Sequence, residues 1–405
     1  MVNTLDEALR MHPCYNEDAH NKFARMHLPV APKCNIQCNY CNRKYDCSNE
    51  SRPGVTSEVL TPQEAVEKVA AVKEKIPELK VVAIAGPGDP LANEETFDTL
   101  RLVHEHFPDM TLCVSTNGLA LPENASRLYS EGVRFLTVTM NAMDTSISEK
   151  IYEKVIWNRK RLAGNEGVSI LLEKQLEGIR KCIELGMMVK INIVLIPGIN
   201  DGHIPDMVKT LEKMGVYIVN ILPLIPVAGT AFQDRRAPTP EERKKLADVC
   251  SGSVRMMRHC RQCRADAIGM LDNDRSREFA RNPSCGSGCG PRNITPDIVK
   301  NKIAIATDGD ENVKGFGNAG TFLIYVYDDV FRKIDEIRMT SGGAVYGGDH
   351  QKHIRNIIEK LGDVETVIVS EIGPGPLRSL NDLGKKVVIF KGDVKSALES
   401  HSEEY

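Results

Sequence analysis

Between residues 27 and 222 six short β-rich runs alternate with segments of helical spacing, which argues for a parallel sheet with crossover helices. The runs are His27 to Ala31, Val81 to Ala85, Thr111 to Ser115, Phe135 to Thr139, Val189 to Leu195 and Tyr217 to Leu222. Between them, Thr61-Pro62-Gln63-Glu64 reads as a capping box with proline at the first helical position. Leu172, Leu176, Ile179 and Ile183 make an apolar stripe that stops at Gly186, a C-cap glycine. The fold class expected is α/β, a partial (βα)6 TIM barrel. Barrel enzymes place their sites where strands end. Here those ends carry the Cys34 loop, Gly86-Pro87-Gly88-Asp89, Ser115-Thr116-Asn117-Gly118 and Asn141. Any one of these turns alone is only a turn.

A chain of 405 residues is long for one core, so a second domain is expected. The Gly, Pro and Ser content of Arg281 to Pro291 reads as a linker. From Lys302 the order is strand, strand, strand, helix (Asp349 to Leu361), strand, helix and strand, a small α/β domain. The expected division is residues 1–281, a linker over 282–300, a second domain over 301–395 and a tail over 396–405, polar from Glu399 and prone to fray. His350 and His353 share a helix face after a glycine-rich run and can ligate a metal cluster at the helix start, where freed backbone N–H groups favour an anion, although exposed helix histidines are the commoner reading.

A formal charge of −3 leaves no electrostatic footprint for nucleic acid or an anionic membrane. No apolar run has the length of a membrane span, and Met1 to Arg10 is polar and unlike a signal peptide. A cytoplasmic protein is expected. Twelve cysteines in a reducing compartment point to metal binding in preference to disulfides.

Cys34, Cys38 and Cys41 are spaced Cys-x-x-x-Cys-x-x-Cys on one short loop. Three thiolates can hold three irons of a four-iron cluster and leave the fourth iron open for chemistry. A structural zinc site instead closes with a fourth Cys or His at fixed spacing. The triplet resembles the signature of the radical S-adenosylmethionine (SAM) superfamily. In that superfamily the open iron chelates SAM, and an electron from the cluster splits it to a 5′-deoxyadenosyl radical.

Longer motifs narrow the resemblance. His12-Pro13-Cys14-Tyr15, Phe23 to Pro32, Asn42 to Cys47, Glu50-Ser51-Arg52-Pro53-Gly54, Ala85 to Asn93 and Cys260 to Ala267 together look like the NifB family of nitrogenase cofactor-assembly proteins. The resemblance covers residues 12 to 268. The C-terminal segment resembles the NifX-like carriers, which have a ribonuclease H-like fold. The resemblance implies fusion of two four-iron clusters into an eight-iron core with insertion of a carbide. One SAM donates a methyl group and a second gives a radical that takes hydrogen from it. It also implies an electron donor, a cluster donor, and downstream carrier or scaffold proteins.

Beyond the triplet, two substrate clusters need about six soft or imidazole ligands. Guided by the family, His27, Cys47 and Cys113 are assigned to one and Cys14, Cys260 and Cys263 to the other, with His12, His20 and His259 nearby. Strand alternation points Cys113 and Ser115 to one face, although a lone strand cysteine is more often a core residue. For SAM, Gly86, Gly88 and Asp89 suit the methionyl amino group, while Ser115, Asn117 and Asn141 suit carboxylate and ribose. Tyr40 can pack on adenine. Glu50 and Arg52 are candidates for proton handling and for holding the anionic clusters, or form a surface salt bridge. Arg255, Arg258, Arg261 and Arg264 can offset thiolate charge, or are only a solvated helix face. Cys182 and Cys250 have no such context. Cys260 and Cys263 with Cys285 and Cys289 can instead make a zinc ribbon. Two rival functions stay open, a radical SAM enzyme acting on a small molecule or peptide with auxiliary clusters, and a non-catalytic iron-sulfur scaffold.

Overall fold

In chain order the first strands are β1 (Ala24–His27), β2 (Ile36–Cys38), β3 (Leu79–Ile84), β4 (Thr111–Thr116), β5 (Val133–Thr139), β6 (Tyr152–Trp157), β7 (Lys160–Leu162), β8 (Met188–Leu195) and β9 (Ile218–Pro223). Three short pieces follow, β10 (Arg255–Met256), β11 (Ile268–Met270) and β12 (Asn273–Asp274). A computed structural model describes residues 4–49, 51–280, 302–308, 312–327, 331–339, 348–362, 364–383 and 385–402. The chain divides into two units, Met1–Asp297 and Ile298–Tyr405.

The main sheet runs β10-β9-β8-β5-β4-β3-β1-β11-β12. Pairing is parallel from β1 through β3, β4, β5, β8 and β9, so the six expected units lie side by side in chain order as a partial (βα)6 barrel. β11 pairs antiparallel to β1 and extends that edge. β2, β6 and β7 form a separate small sheet, of which β2 is part of the Cys34–Cys41 segment. The helices are α1 (Leu5–Met11), α2 (Pro62–Lys75), α3 (Glu94–His106), α4 (Leu121–Ser130), α5 (Thr145–Ile151), α6 (Gly164–Glu184), α7 (Ile204–Lys213) and α8 (Pro240–Cys250). The Thr61 side chain and Glu64 form the expected capping box of α2, and Gly186, at φ 83°, follows the end of α6.

Strand alternation sorts the side chains. Val82, Ile84, Leu112, Val114, Leu136, Val138, Ile191 and Ile193 pack outward in the main core shared with helices such as α2 and α3. Val81, Ala83, Cys113, Phe135 and Ile218 face inward, with Ala8 and Tyr15 packed against them.

The first strand differs from expectation. It ends at His27 because Pro29 and Pro32 offer no N–H to a ladder. The chain beyond it stays tied to β3 by Leu28 N–H to the Ala83 carbonyl, 2.8 Å. The arginine run at 255–264 is not a helix but β10 and an irregular segment. Among the described residues, no helix is long and apolar enough to cross a membrane.

The second unit contains β13 (Lys302–Thr307), β14 (Thr321–Tyr327), β15 (Phe331–Arg338), α9 (Gly348–Lys360), β16 (Thr366–Val369), α10 (Pro374–Asp382), β17 (Lys386–Ile389) and α11 (Val394–Ser402). Its sheet order is β15-β14-β13-β16-β17, with an antiparallel meander followed by two parallel strands, a mixed sheet of the ribonuclease H-like kind. The segment expected as a tail begins inside α11. Val394, Ala397 and Leu398, at i, i+3 and i+4, pack into the core there.

Candidate metal centre

The inward positions of the parallel strands converge on one cavity. β1 gives it Arg25 and His27, β4 Cys113 and Ser115, β5 Thr137, β8 Lys190 and Asn192, and β9 Asn220. Cys14, Asn49, Ser51, Cys260, Arg261 and Cys263 line it from loops, and His12 from the turn after α1. Gln262 adopts a left-handed backbone, φ 50°, between two cysteines that both line the cavity. None of the ten described cysteines is in a disulfide.

Arg25 is 2% exposed and anchors this wall. Its guanidinium donates to Cys263 Sγ at 2.9 Å and to the carbonyls of Gly269 and Met270 at 2.6 and 3.2 Å. Burial opposes its charge, but the Cys263 and Cys14 sulfurs outweigh that and hold its pKa above the usual range. Burial pushes the Cys14 thiol up to about 11, with the Lys190 charge opposing and Cys263 and Cys260 adding to the rise. The thiol is therefore protonated at neutral pH, and ligating a metal would exchange that proton for it.

His27 is built like a ligand. Burial, reinforced by Arg25, pushes its pKa to about 4, so the ring is neutral. Its Nδ1 lies 3.0 Å from the Arg264 carbonyl and donates to it, which leaves the Nε2 lone pair available. Among the described residues, buried side-chain atoms without a hydrogen-bond partner include His12 Nε2, Arg25 Nε, Ser51 Oγ, Thr137 Oγ1 and Asn220 Oδ1, all from residues lining this cavity. Such groups are normally paired, so the cavity is shaped for an occupant rich in hydrogen-bonding atoms. That fits a sulfide-bridged cluster.

The Cys34–Cys41 loop leaves the end of β1 and lies alongside. Cys38 is pushed up first by burial and then by Cys41 and Cys34, as expected for three adjacent sulfurs. Amide donors sit on the thiols, Asn117 Nδ2 at 3.9 Å from Cys34 Sγ and Asn49 Nδ2 at 3.7 Å from Cys38 Sγ. Arg43 donates to the Pro32 carbonyl at 2.7 Å, and Cys34, Cys41 and Cys47 together raise its pKa against the cost of burial. The triplet fits a four-iron cluster held by three thiolates. Among the described residues, no group of three or more His, Cys, Asp and Glu side chains is arranged for a single metal ion.

The Gly86–Asp89 turn braces this loop from below. A Cβ on Gly88 would lie 2.1 Å from the Lys33 carbonyl oxygen, so only glycine fits there. Asp89 is 3% exposed and accepts from Thr116 Oγ1, Asn117 N–H and Leu91 N–H, at 3.0, 2.6 and 3.0 Å. Burial raises its pKa to about 6 in spite of those donors. Tyr40, 1% exposed, hydrogen-bonds Asn49 and takes a bond from Asn141 Nδ2 at 2.6 Å. Asn141 Oδ1 also accepts from Val194 N–H at 2.8 Å. These three residues are braces of the loop in this structure.

Of the two assigned ligand sets, Cys14, Cys260, Cys263, His27 and Cys113 share the cavity. Cys47 is buried outside its lining, beside Arg43, with its N–H on the Pro87 carbonyl at 2.7 Å. Arg52 is exposed, and only its backbone N–H reaches inward, to the Cys263 carbonyl at 2.8 Å. Glu50, Cys285 and Cys289 lie outside the described residues. Of the four flanking arginines only Arg261 lines the cavity, while Arg255 bonds Tyr217, Arg258 pairs with Asp248 and Arg264 with Asp266. The His20 and His259 rings lie tilted against each other, centroids 5.4 Å apart, outside the lining. Sequence reading missed Arg25, Lys190, Asn192 and Asn220. Their signal was a polar residue at alternate positions of otherwise apolar parallel strands.

Residues 28–211 match the Radical SAM superfamily, and residues 299–404 match the family described as Dinitrogenase iron-molybdenum cofactor. The FeMo cofactor biosynthesis protein NifB of Bradyrhizobium diazoefficiens is 42% identical over 93% of this chain and 83% of its own length. NifB of Klebsiella pneumoniae is 43% identical over 92% and 86%, and NifB of Azotobacter vinelandii 52% over 66% and 54%. A crystal structure of methylornithine synthase superposes with a TM-score of 0.43 at 15% identity, over 63% of this chain and 72% of that one. With identity sustained along nearly the whole length, the chain belongs to the NifB family of radical SAM enzymes in FeMo cofactor biosynthesis.

Proposed function

We propose that this chain fuses two four-iron clusters and inserts one carbon to make the eight-iron precursor of the nitrogenase cofactor. The observation that carries the reading is a single cavity where Cys14, Cys113, Cys260, Cys263 and His27 meet the buried cations Arg25 and Lys190. Such a donor set suits anionic iron-sulfur substrates, and the buried cations offset their charge. Two residues tie the cavity to the triplet. Asn49 lines it and donates to Cys38 Sγ, and Ser115 lines it two positions before Asn117, which reaches Cys34 Sγ.

Cys34, Cys38 and Cys41 are the residues that would hold the resident cluster. When bound, that cluster supplies one-electron cleavage of SAM to methionine and a 5′-deoxyadenosyl radical. Asn117 and Asn49 place neutral donors on the thiolates, and Gly88 lets the turn after β3 close against the loop. Burial keeps water from the reacting groups. The electron donor, a supplier of four-iron substrates and a carrier that takes the product are the partners this reading requires.

The test replaces Cys14, Cys260 and Cys263 with alanine and follows both SAM products after anaerobic reduction. The parent should form S-adenosylhomocysteine and 5′-deoxyadenosine, and the variant should lose the first. Cleavage indifferent to these cysteines but dependent on an added organic substrate would favour a small-molecule radical enzyme. No 5′-deoxyadenosine at all would favour a scaffold.

A further inference from the structure

We infer that His12 is a fixed hydrogen-bond donor to the cluster substrate held by Cys14, Cys260 and Cys263, a positioning residue and not an iron ligand. The inference rests on the cluster reading above. Two buried histidines line the cavity, and their partners give them opposite polarity. His27 Nδ1 faces a carbonyl, which only accepts, so its proton is on Nδ1 and Nε2 keeps a lone pair. His12 Nδ1 accepts from the Cys14 backbone N–H at 3.2 Å, so its proton is on Nε2. To bind iron through Nε2 the ring would have to move that proton to Nδ1, setting N–H against N–H.

The ring is held in this pose. Its centroid is 4.6 Å from those of Tyr15 and Phe135, and Tyr15 is itself anchored by its hydroxyl to the Leu136 carbonyl at 2.7 Å. His12 is 1% exposed, and its Nε2 is buried without a partner. A buried donor normally has an acceptor, and the cavity is where one can bind. Because Nδ1 is bound to the residue that carries the Cys14 thiol, the donor is placed relative to that ligand. An N–H on a cluster sulfur stabilises the more negative, reduced state and so raises the reduction potential.

The experiment uses the full chain loaded anaerobically with iron and sulfide, with ¹⁵N-histidine for pulsed paramagnetic resonance. One strongly coupled imidazole nitrogen is expected, lost in His27→Ala and kept in His12→Phe. His12→Phe, which preserves the aromatic packing, should retain the parent's iron and shift one cluster to a more negative potential. His12→Gln, which restores an N–H, should recover part of that shift. Loss of about four irons in His12→Phe would make His12 a ligand and overturn the inference, as would an unchanged potential at full loading. If His12→Phe does not fold, the parent decides. One strong and one weak imidazole coupling, the weak one accompanied by an exchangeable proton, is expected, and two strong couplings or no weak one overturn the inference. A parent with only about four irons overturns the cluster reading together with it.

Discussion

Two residues carry unusually direct consequences. Arg25 donates to Cys263 Sγ and satisfies two β11 carbonyls from within the barrel. Arg25→Met leaves those carbonyls without their donor, and a cost of about 3 kcal/mol is expected in the unfolding transition of the N-terminal unit. Arg25→Lys should restore little, since one ammonium cannot reproduce the fork. A cost below about 1 kcal/mol for the methionine variant would contradict this. Gly88→Ala drives a methyl into the Lys33 carbonyl, one residue before Cys34. It should lower 5′-deoxyadenosine formation at least tenfold, about 1.4 kcal/mol in the barrier, and unchanged turnover would show that the loop can yield. At this scale the thiols were legible and the cations were not. Cys34, Cys38 and Cys41 announce themselves by spacing, whereas Arg25 and Lys190 matter only through the strands that turn them inward.

The elements were legible where local chemistry decides them. Thr61 and Glu64 specify the start of α2 without any tertiary contact, and Thr61→Ala should cost about 1 kcal/mol in denaturant unfolding. α8 has the same box at Thr239 and Glu242. The Glu242 carboxyl is lowered to about 2, first by its bonds to Arg236 and then by the Thr239 N–H. A lowered folded-state pKa means the stabilisation is present above the ordinary carboxyl value and fades as pH falls toward 2. Amide exchange at the start of α8 should therefore quicken across that window, and Glu242→Gln should remove the trend. A start of α8 equally protected at both ends of the window would count against it. The strands β2, β6, β7, β10, β11 and β12 escaped the sequence reading. The pairings of β2 with β6 and of β11 with β1 depend on neighbours far away in the chain, β11 finding β1 across more than half of the N-terminal unit.

Across the whole molecule, the candidate ligands that line the cavity fall in the first unit, and the second, which carries His350 and His353 on α9, is a separate fold with its own core. A chain ending at residue 281 should keep its iron and its SAM cleavage, with any loss confined to delivery of the product. A truncated chain unable to load iron would tie the second unit to assembly. The alternation of strands and helices made both folds legible, but the way the ligands share one cavity was not, since it depends on loops such as that around Cys260. The most direct measurement is the iron content of the anaerobically reconstituted chain, alone and with Cys14, Cys260 and Cys263 replaced by alanine. About twelve irons per chain, falling to about eight in the variant, is the expected result. About four irons in both would contradict a cavity that gathers cluster substrates.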